Sequence, residues 1–268
     1  TVKVRLLVFA TLALLLIVLS FFSDKLCPMD PYLQDLSNAK AAPSWAHPLG
    51  TDRYGRDMLS RVIVGSRTSI FSTLLLVAFI TLFGTVIGLI CGWFGKKIDV
   101  ICMRIADLFL AFPGLVFALA VAAVLGGGLQ NAIIALAAIS WPKYARLARS
   151  QTLAQKDLNY INAAKLAGCS DLQIVFRHVI PNIAGPILVT AVLDIGTMMM
   201  ELAGLSFLGL GAKPPIAEWG SMMSETRNLL TTQPWVTLAP GFAILISVMI
   251  FNLFGDAMRD WLDPKSGR

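Results

Sequence analysis

Residues 69–94 read Ser-Ile-Phe-Ser-Thr-Leu-Leu-Leu-Val-Ala-Phe-Ile-Thr-Leu-Phe-Gly-Thr-Val-Ile-Gly-Leu-Ile-Cys-Gly-Trp-Phe, without one charged side chain. As a helix rising 1.5 Å per residue, this stretch is about 39 Å long, enough to cross the ~30 Å hydrocarbon core of a bilayer. It does not alternate polar and apolar residues as a barrel strand does, so a helix is the natural spanning form. Five more apolar runs flank it, near 5–22, 98–125, 129–149, 182–209 and 236–258. The expected fold is therefore an all-α polytopic membrane protein with six transmembrane helices.

Composition agrees. The chain has 268 residues, 56% hydrophobic and 14% charged, with mean hydropathy +0.72. A soluble domain carries about 25% charge. The net charge of +6 reads as Lys and Arg serving as topology determinants in cytoplasmic loops. No basic stripe interleaved with aromatics occurs, so nucleic acid is not an expected partner and the lipid bilayer is. The cysteines Cys27, Cys91, Cys102 and Cys169 form neither a C-x-x-C pair nor a zinc spacing. The run Leu6–Phe22 is longer than a usual signal-peptide core. It is followed by Ser23, Asp24 and Lys25 rather than by a small-residue cleavage site, and reads as a retained first span.

With the N-terminus inside, the inner segments hold fourteen Lys and Arg and the outer ones eight. That bias predicts both termini in the cytoplasm. Lys25, Lys40, Arg53, Arg56, Arg61 and Arg67 in the first outer loop run against it. The expected layout is a first helix and extracytoplasmic loop over 1–68, then a transmembrane core over 69–268. Gly84, Gly88 and Gly92, and Ala118 with Ala122, lie four apart and permit close helix approach, within the chain or to a partner subunit.

The most informative loop lies at about 157–180. Tyr160–Ala167 predicts a short helix, Gly168 its C-terminal stop, and Ser170 or Asp171 the cap of a second helix. Pro181 suits the first turn of the next span. Such an elbow is a rigid lever, able to pass a push from a soluble partner to the fifth span.

The elbow carries a resemblance. Asn162-Ala163-Ala164, Gly168, His178 and Pro181 follow the spacing E-A-A-x3-G-x9-I-x-L-P of bacterial ABC importer permeases. Asn162 stands where that family has Glu, and His178 where it has Ile. The stretches His47–Arg61, Leu205–Gly211 with Pro214-Pro215 and Glu218-Trp219-Gly220, and Gly255–Pro264 resemble segments of the dipeptide, oligopeptide and nickel group, in its second permease type. The resemblance spans nearly the whole chain. It implies the type I importer (MetI-like) permease fold and an ATPase-coupling role for residues 162–164, 168, 178 and 181. It also implies four partners: a second homologous permease, two ABC ATPase subunits and an extracytoplasmic binding protein. The setting would be the bacterial inner membrane. The run Leu193–Gly204 is most similar to nickel-type members, which makes nickel or a nickel–chelator complex the expected cargo and peptides the alternative.

Several polar residues fall inside apolar runs. Asp194 and Glu201 are seven apart and share a helix face. A mid-span carboxylate costs about 2.5–3.5 kcal/mol on insertion scales, so each predicts a water-filled path or a hydrogen-bonded neighbour. Met198 lies between them with Met199 and Met200; core packing is the favoured reading, a path lining the other. Arg104 and Asp107 are placed to pair on one face, and Pro113 to kink its helix. His47 and His178 fall on opposite sides and cannot share a metal site. Glu218 and Trp219 are expected on the outer face, either as contacts for a binding protein or in a local role.

No G-x-x-x-x-G-K-[ST] phosphate loop occurs. ATP and Mg are thus expected on partner subunits, with no cofactor on this chain. Neither H-E-x-x-H nor G-x-S-x-G is present to favour the competing class, an intramembrane enzyme.

Overall fold

The computed structural model describes residues 2–262. Asp263 and Pro264 of the C-terminal motif, with Lys265 and Arg268, lie outside the described residues. The helices are α1 (Val2–Phe21), α2 (Ser23–Leu26), α3 (Met58–Phe94), α4 (Lys96–Leu110), α5 (Gly114–Val124), α6 (Leu129–Lys156), α7 (Asn159–Leu166), α8 (Asp171–Ile174), α9 (Ile180–Phe207), α10 (Trp219–Thr226) and α11 (Pro234–Leu262). Among the described residues no strand forms beyond one isolated bridge, Thr51 to Asp57.

Four helices are long and apolar enough to cross a membrane: Val2–Phe21, Met58–Phe94, Asp171–Phe207 and Pro234–Leu262. The third expected span is broken. α4 and α5 meet at 89°, and together they make at most a fifth crossing. Pro113 stands at the break, where its ring forbids helical continuation and its extended backbone starts α5. The fourth expected span, α6, does not reach the same apolarity, because Gln130, Asn131, Lys143, Arg146 and Arg149 lie within it. It also runs past 149 to Lys156.

Caps set the ends of α3. The Asp57 side chain accepts from the Ser60 backbone N–H at 2.8 Å, so the helix starts well before residue 69. It stops at Gly95, whose φ of +61° suits glycine.

Small residues determine how α3 meets α6. A Cβ added to Gly84 would lie 2.5 Å from the Trp141 carbonyl oxygen. At Gly88 it would lie 2.3 Å from the Ala145 carbonyl oxygen, and at Gly92 2.7 Å from Thr152 Cβ. The glycine ridge therefore seats α6 of the same chain rather than a partner. Ala118 and Ala122 of α5, which packs on α6, are fully buried.

α9 and α11 run antiparallel, with Gly196 against Asn252 and Gly255 against Leu193. Arg5 at the start of α1 lies 3.5 Å from Asp260 near the end of α11. Lys156 at the end of α6 donates to the Trp93 carbonyl near the end of α3. Both ends of the described chain thus lie at the same end of the bundle as α7 and α8. Residues 23–57 and 208–233 fold together over the opposite end.

Substituting Gly88 with Leu should destabilise the α3–α6 contact by about 1–3 kcal/mol or more, because the new side chain meets backbone that cannot yield. Gly185→Ala, with nothing within 4 Å of the added carbon, should be near neutral. Thermal unfolding of the purified protein in detergent reads both; equal melting temperatures would refute the contact's role.

Candidate functional site

The candidate site has two parts: the elbow at one end of the bundle and a polar stripe along α9. In the elbow, Ile161 and Ala164 turn inward and are buried, while Asn162 and Ala163 face out. Gly168 terminates α7 in the left-handed region at φ +82°. Its N–H donates to the Lys165 carbonyl at 3.0 Å, and the Cys169 N–H to the Ala164 carbonyl at 3.1 Å. This is the hydrogen-bond arrangement of a glycine-stopped helix. No heavy atom lies within 4 Å of an added Cβ there, so glycine is required by backbone angle and not by space.

Ser170 then starts α8 with a capping box shared with Gln173. The second elbow helix is not separate from the fifth span. α8 passes through one π turn (Val175–Val179) directly into α9, making one rod from Asp171 to Phe207. Ile174 and Val179 bury its inner side. The His178 ring lies 6.1 Å from the Tyr160 ring, and Pro181 sits exposed in the first turn of α9. Leu166, Leu172 and Phe176 are left uncovered, Leu166 at 90% exposure. Lys165 of α7 lies 5.5 Å from the centre of the Trp93 ring, a cation–π contact that ties the elbow to the end of α3.

The stripe runs along the middle of α9. Asp194 is buried there; its Oδ1 accepts from Lys143 Nζ at 2.5 Å and its Oδ2 from the Tyr144 hydroxyl at 2.8 Å. Lys143 falls within the 129–149 run and counts among the fourteen inner Lys and Arg. The structure places it halfway along α6, level with Asp194, with its side chain 53% exposed. Nothing local in Trp141-Pro142-Lys143-Tyr144 marks this. The only available signal was an acid and a base, each isolated in a different apolar run. Glu201 lies two turns further along α9, partly buried, and among the described residues no hydrogen bond or ion pair engages it. Met198 is buried, 3.8 Å from the Ser140 hydroxyl, in a packing position between α9 and α6.

Other charges also pair across helices. Asp107 takes Arg146 of α6 and not Arg104. Asp99 takes Arg149, with Nη2 to Oδ2 at 2.6 Å. These two pairs fasten α4 to α6.

The motif residues at the far end build a buried ionic cap. Arg56 Nε donates to Asp52 at 2.6 Å and its Nη2 to Glu225 at 2.9 Å, and Arg61 packs beside both acids. His47 Nδ1 lies 3.0 Å from Asp57. Glu218 is only 1% exposed; its carboxylate accepts from the N–H groups of Gly220 and Ser221 at 2.9 Å and caps α10. Trp219 is buried too and donates from Nε1 to the Val62 carbonyl at 2.9 Å. Neither residue presents an outer surface; both lock α10 onto α3. In the loop before the cap, hydrogen bonds from Ser37 and then Asn38 hold the Asp35 carboxyl below the usual carboxylate range. Among the described residues no group of three or more His, Cys, Asp or Glu side chains is placed to hold a metal ion.

A continuous rod that begins at an exposed elbow stands in a bundle of bilayer-length helices. The profile of the family described as binding-protein-dependent transport system inner membrane component matches residues 84–268. The chain belongs to that family. This permease is 44% identical to the dipeptide transport system permease protein of Alkalihalophilus pseudofirmus, over 85% of its own length and 75% of the relative's. It is 43% identical to the probable D,D-dipeptide transport system permease protein of Escherichia coli K12 (96% and 87%). It is 39% identical to the nickel transport system permease protein of the same strain (98% and 94%). Its fold is similar to a chain of the inward-facing MetNI methionine ABC transporter, with TM-score 0.56, 21% identity, and coverage of 75% of this permease and 96% of that chain. The resemblance to ABC importer permeases of the peptide and nickel group is thereby confirmed. The relatives' names divide between peptides and nickel, so kinship does not choose a cargo.

Replacing Arg56 with Ala would remove the hydrogen-bonded partner of Asp52 and Glu225 and leave Arg61 alone, 4.0 and 3.9 Å away, to offset two buried acids. A loss of about 3–5 kcal/mol is expected, read as a lowered melting temperature of the purified permease. An unchanged value would remove the cap's ionic cluster from the structural account.

Proposed function

We propose that this permease is one half of the membrane pathway of an ATP-driven importer in a bacterial inner membrane. The observation that carries the reading is the elbow: a glycine-stopped helix with uncovered Leu166, Leu172 and Phe176, continuous through Phe207 with the helix that bears the polar stripe. Uncovered apolar side chains at the solvent end of a spanning rod suit docking to a soluble partner. Counting the bent α4–α5 pair and α6, the chain crosses six times, with both termini and the elbow in the cytoplasm. The partners are a second homologous permease, two ABC ATPase subunits that bind ATP and Mg, and an extracytoplasmic binding protein. This chain supplies no catalytic group. Closure of the ATPases displaces the elbow, and Asn162, Ala163, Ala164 and Gly168 deliver the push to His178, Pro181 and α9. The rod moves as a body and switches access to the path beside Asp194 and Glu201, with Met198 as packing behind it.

For the cargo, the geometry favours a peptide-type organic solute. Lys143 neutralises Asp194 at 2.5 Å, so the middle of the stripe offers little net attraction to a bare dication. Nickel in a chelated, charge-compensated form is the second reading, favoured by the similarity of Leu193–Gly204 to nickel-type members. Uptake of labelled dipeptide and labelled nickel, in cells with and without this subunit, decides between them.

Two substitutions test the lever. Gly168→Val forces a β-branched residue into a left-handed backbone at about 1–2 kcal/mol. It should abolish ATP-driven uptake while membrane insertion is retained; normal uptake would falsify the lever. Leu166→Glu with Leu172→Glu should strip the ATPase from the permease in co-purification, and an intact complex would place the docking face elsewhere.

A further inference from the structure

Lys143 is an ammonium placed at mid-helix among apolar runs. Asp194, its partner, lies fourteen residues from the start of α9 and thirteen from its end, about 20 Å from each. A cation at that depth is costly in lipid. Yet about half of the Lys143 side chain is left uncovered by its own fold, although its ammonium reaches the buried Asp194. Glu201, two turns further along and about 9 Å from the end of α9, is a partly buried carboxylate with no hydrogen-bond or ion-pair partner among the described residues. Thr190 and Thr197 continue the line at helical spacing and give a polar stripe Thr190-Asp194-Thr197-Glu201 on one face of α9.

We propose that Lys143 and Glu201 form a two-point charge site that reads the termini of a short zwitterionic peptide, Glu201 taking the α-ammonium and Lys143 the α-carboxylate. The proposal rests on the importer reading given above. Asp194 and Tyr144 hold Lys143 in place and keep its charge paired when the site is empty. The separation fits. Positions 194 and 201 are about 10 Å apart along the axis. An extended chain of two or three residues spans about 7–10 Å. With Lys143 already paired to Asp194, a bare cation would engage Glu201 and leave the ammonium unused, whereas an anion drawn to Lys143 would face Glu201. Only a solute carrying both charges satisfies both groups.

The test is equilibrium binding of labelled alanyl-alanine to the complete complex of both permeases and both ATPases in lipid nanodiscs, with the binding protein omitted. Wild type should bind the free dipeptide about tenfold or more tightly than its N-acetyl or C-terminal amide form, the worth of one charge-assisted hydrogen bond. Glu201→Gln should erase the discrimination against the N-acetyl form alone. Lys143→Gln with Asp194→Asn, which removes both charges of the pair together, should erase the discrimination against the amide alone. The proposal is overturned if wild type binds none of the three, if it binds all alike, or if each variant weakens all three equally. It is equally overturned if neutralising an acid of the second permease restores a Lys143 variant, which would make Lys143 a subunit-interface charge. Failure of the importer reading would show separately, as no ATP-dependent uptake of dipeptide or of Ni2+ by the wild-type complex supplied with its binding protein.

Discussion

The close contact of Gly84, Gly88 and Gly92 with α6 is the interaction on which the rest of the bundle depends. Inside a bilayer, helices gain little from hydrophobic association with one another, because lipid tails are as apolar as leucine. What remains is the fit of one surface on another, and that fit is best where the backbone itself can touch. Three glycines on one face of α3 bring it against the carbonyls and small side chains of α6 from Trp141 to Thr152. That one docking places Lys143 beside Asp194, sets Arg146 and Arg149 opposite the acids of α4, and brings Lys156 to the end of α3.

With α6 seated, the elbow has a firm base. α7 hangs from the end of α6, is stopped by Gly168, and hands over to a rod that runs unbroken from Asp171 to Phe207. A rigid connection matters because a displacement at one end of a flexible segment would be lost within it, whereas a helix transmits it. The far end is held just as firmly. The Asp52, Arg56, Arg61 and Glu225 cluster joins the segment before α3 to the segment after α9, so both ends of the rod are tied to α3. An ionic cluster this dry is worth little as net stability but is costly to break, a property suited to a joint that must keep its geometry.

The charges explain why the positive-inside count was equivocal. Counting assumes that Lys and Arg are free loop charges. In this fold Arg56 and Arg61 are interior to the cap and Arg67 pairs with Asp24, so three of the six basic residues that opposed the rule are engaged in structure. Lys143 and Arg146, counted as inside charges, belong to α6 and its helix contacts. Residues that carry structural or path chemistry carry no topological information, and hydropathy cannot separate the two kinds.

Much of the architecture was legible in the residues alone, because it rests on local properties. The apolar runs, the helical state of each, the stop at Gly168, the cap at Ser170 and the spacing of the elbow motif all depend on neighbours within a turn or two. The glycine ridge was visible too, though not what it would meet. Tertiary structure alone decided the rest: Asp107 choosing Arg146 over Arg104, Asp194 finding Lys143, Glu218 and Trp219 turning inward, the 89° sharpness of the break at Pro113, and the fusion of α8 with α9. A helix that is apolar all round shows no periodicity to reveal which face is inward. Its polar residues therefore acquire partners only when the rotation and crossing of whole helices are settled, and that information is spread over pairs of segments 39 or more residues apart.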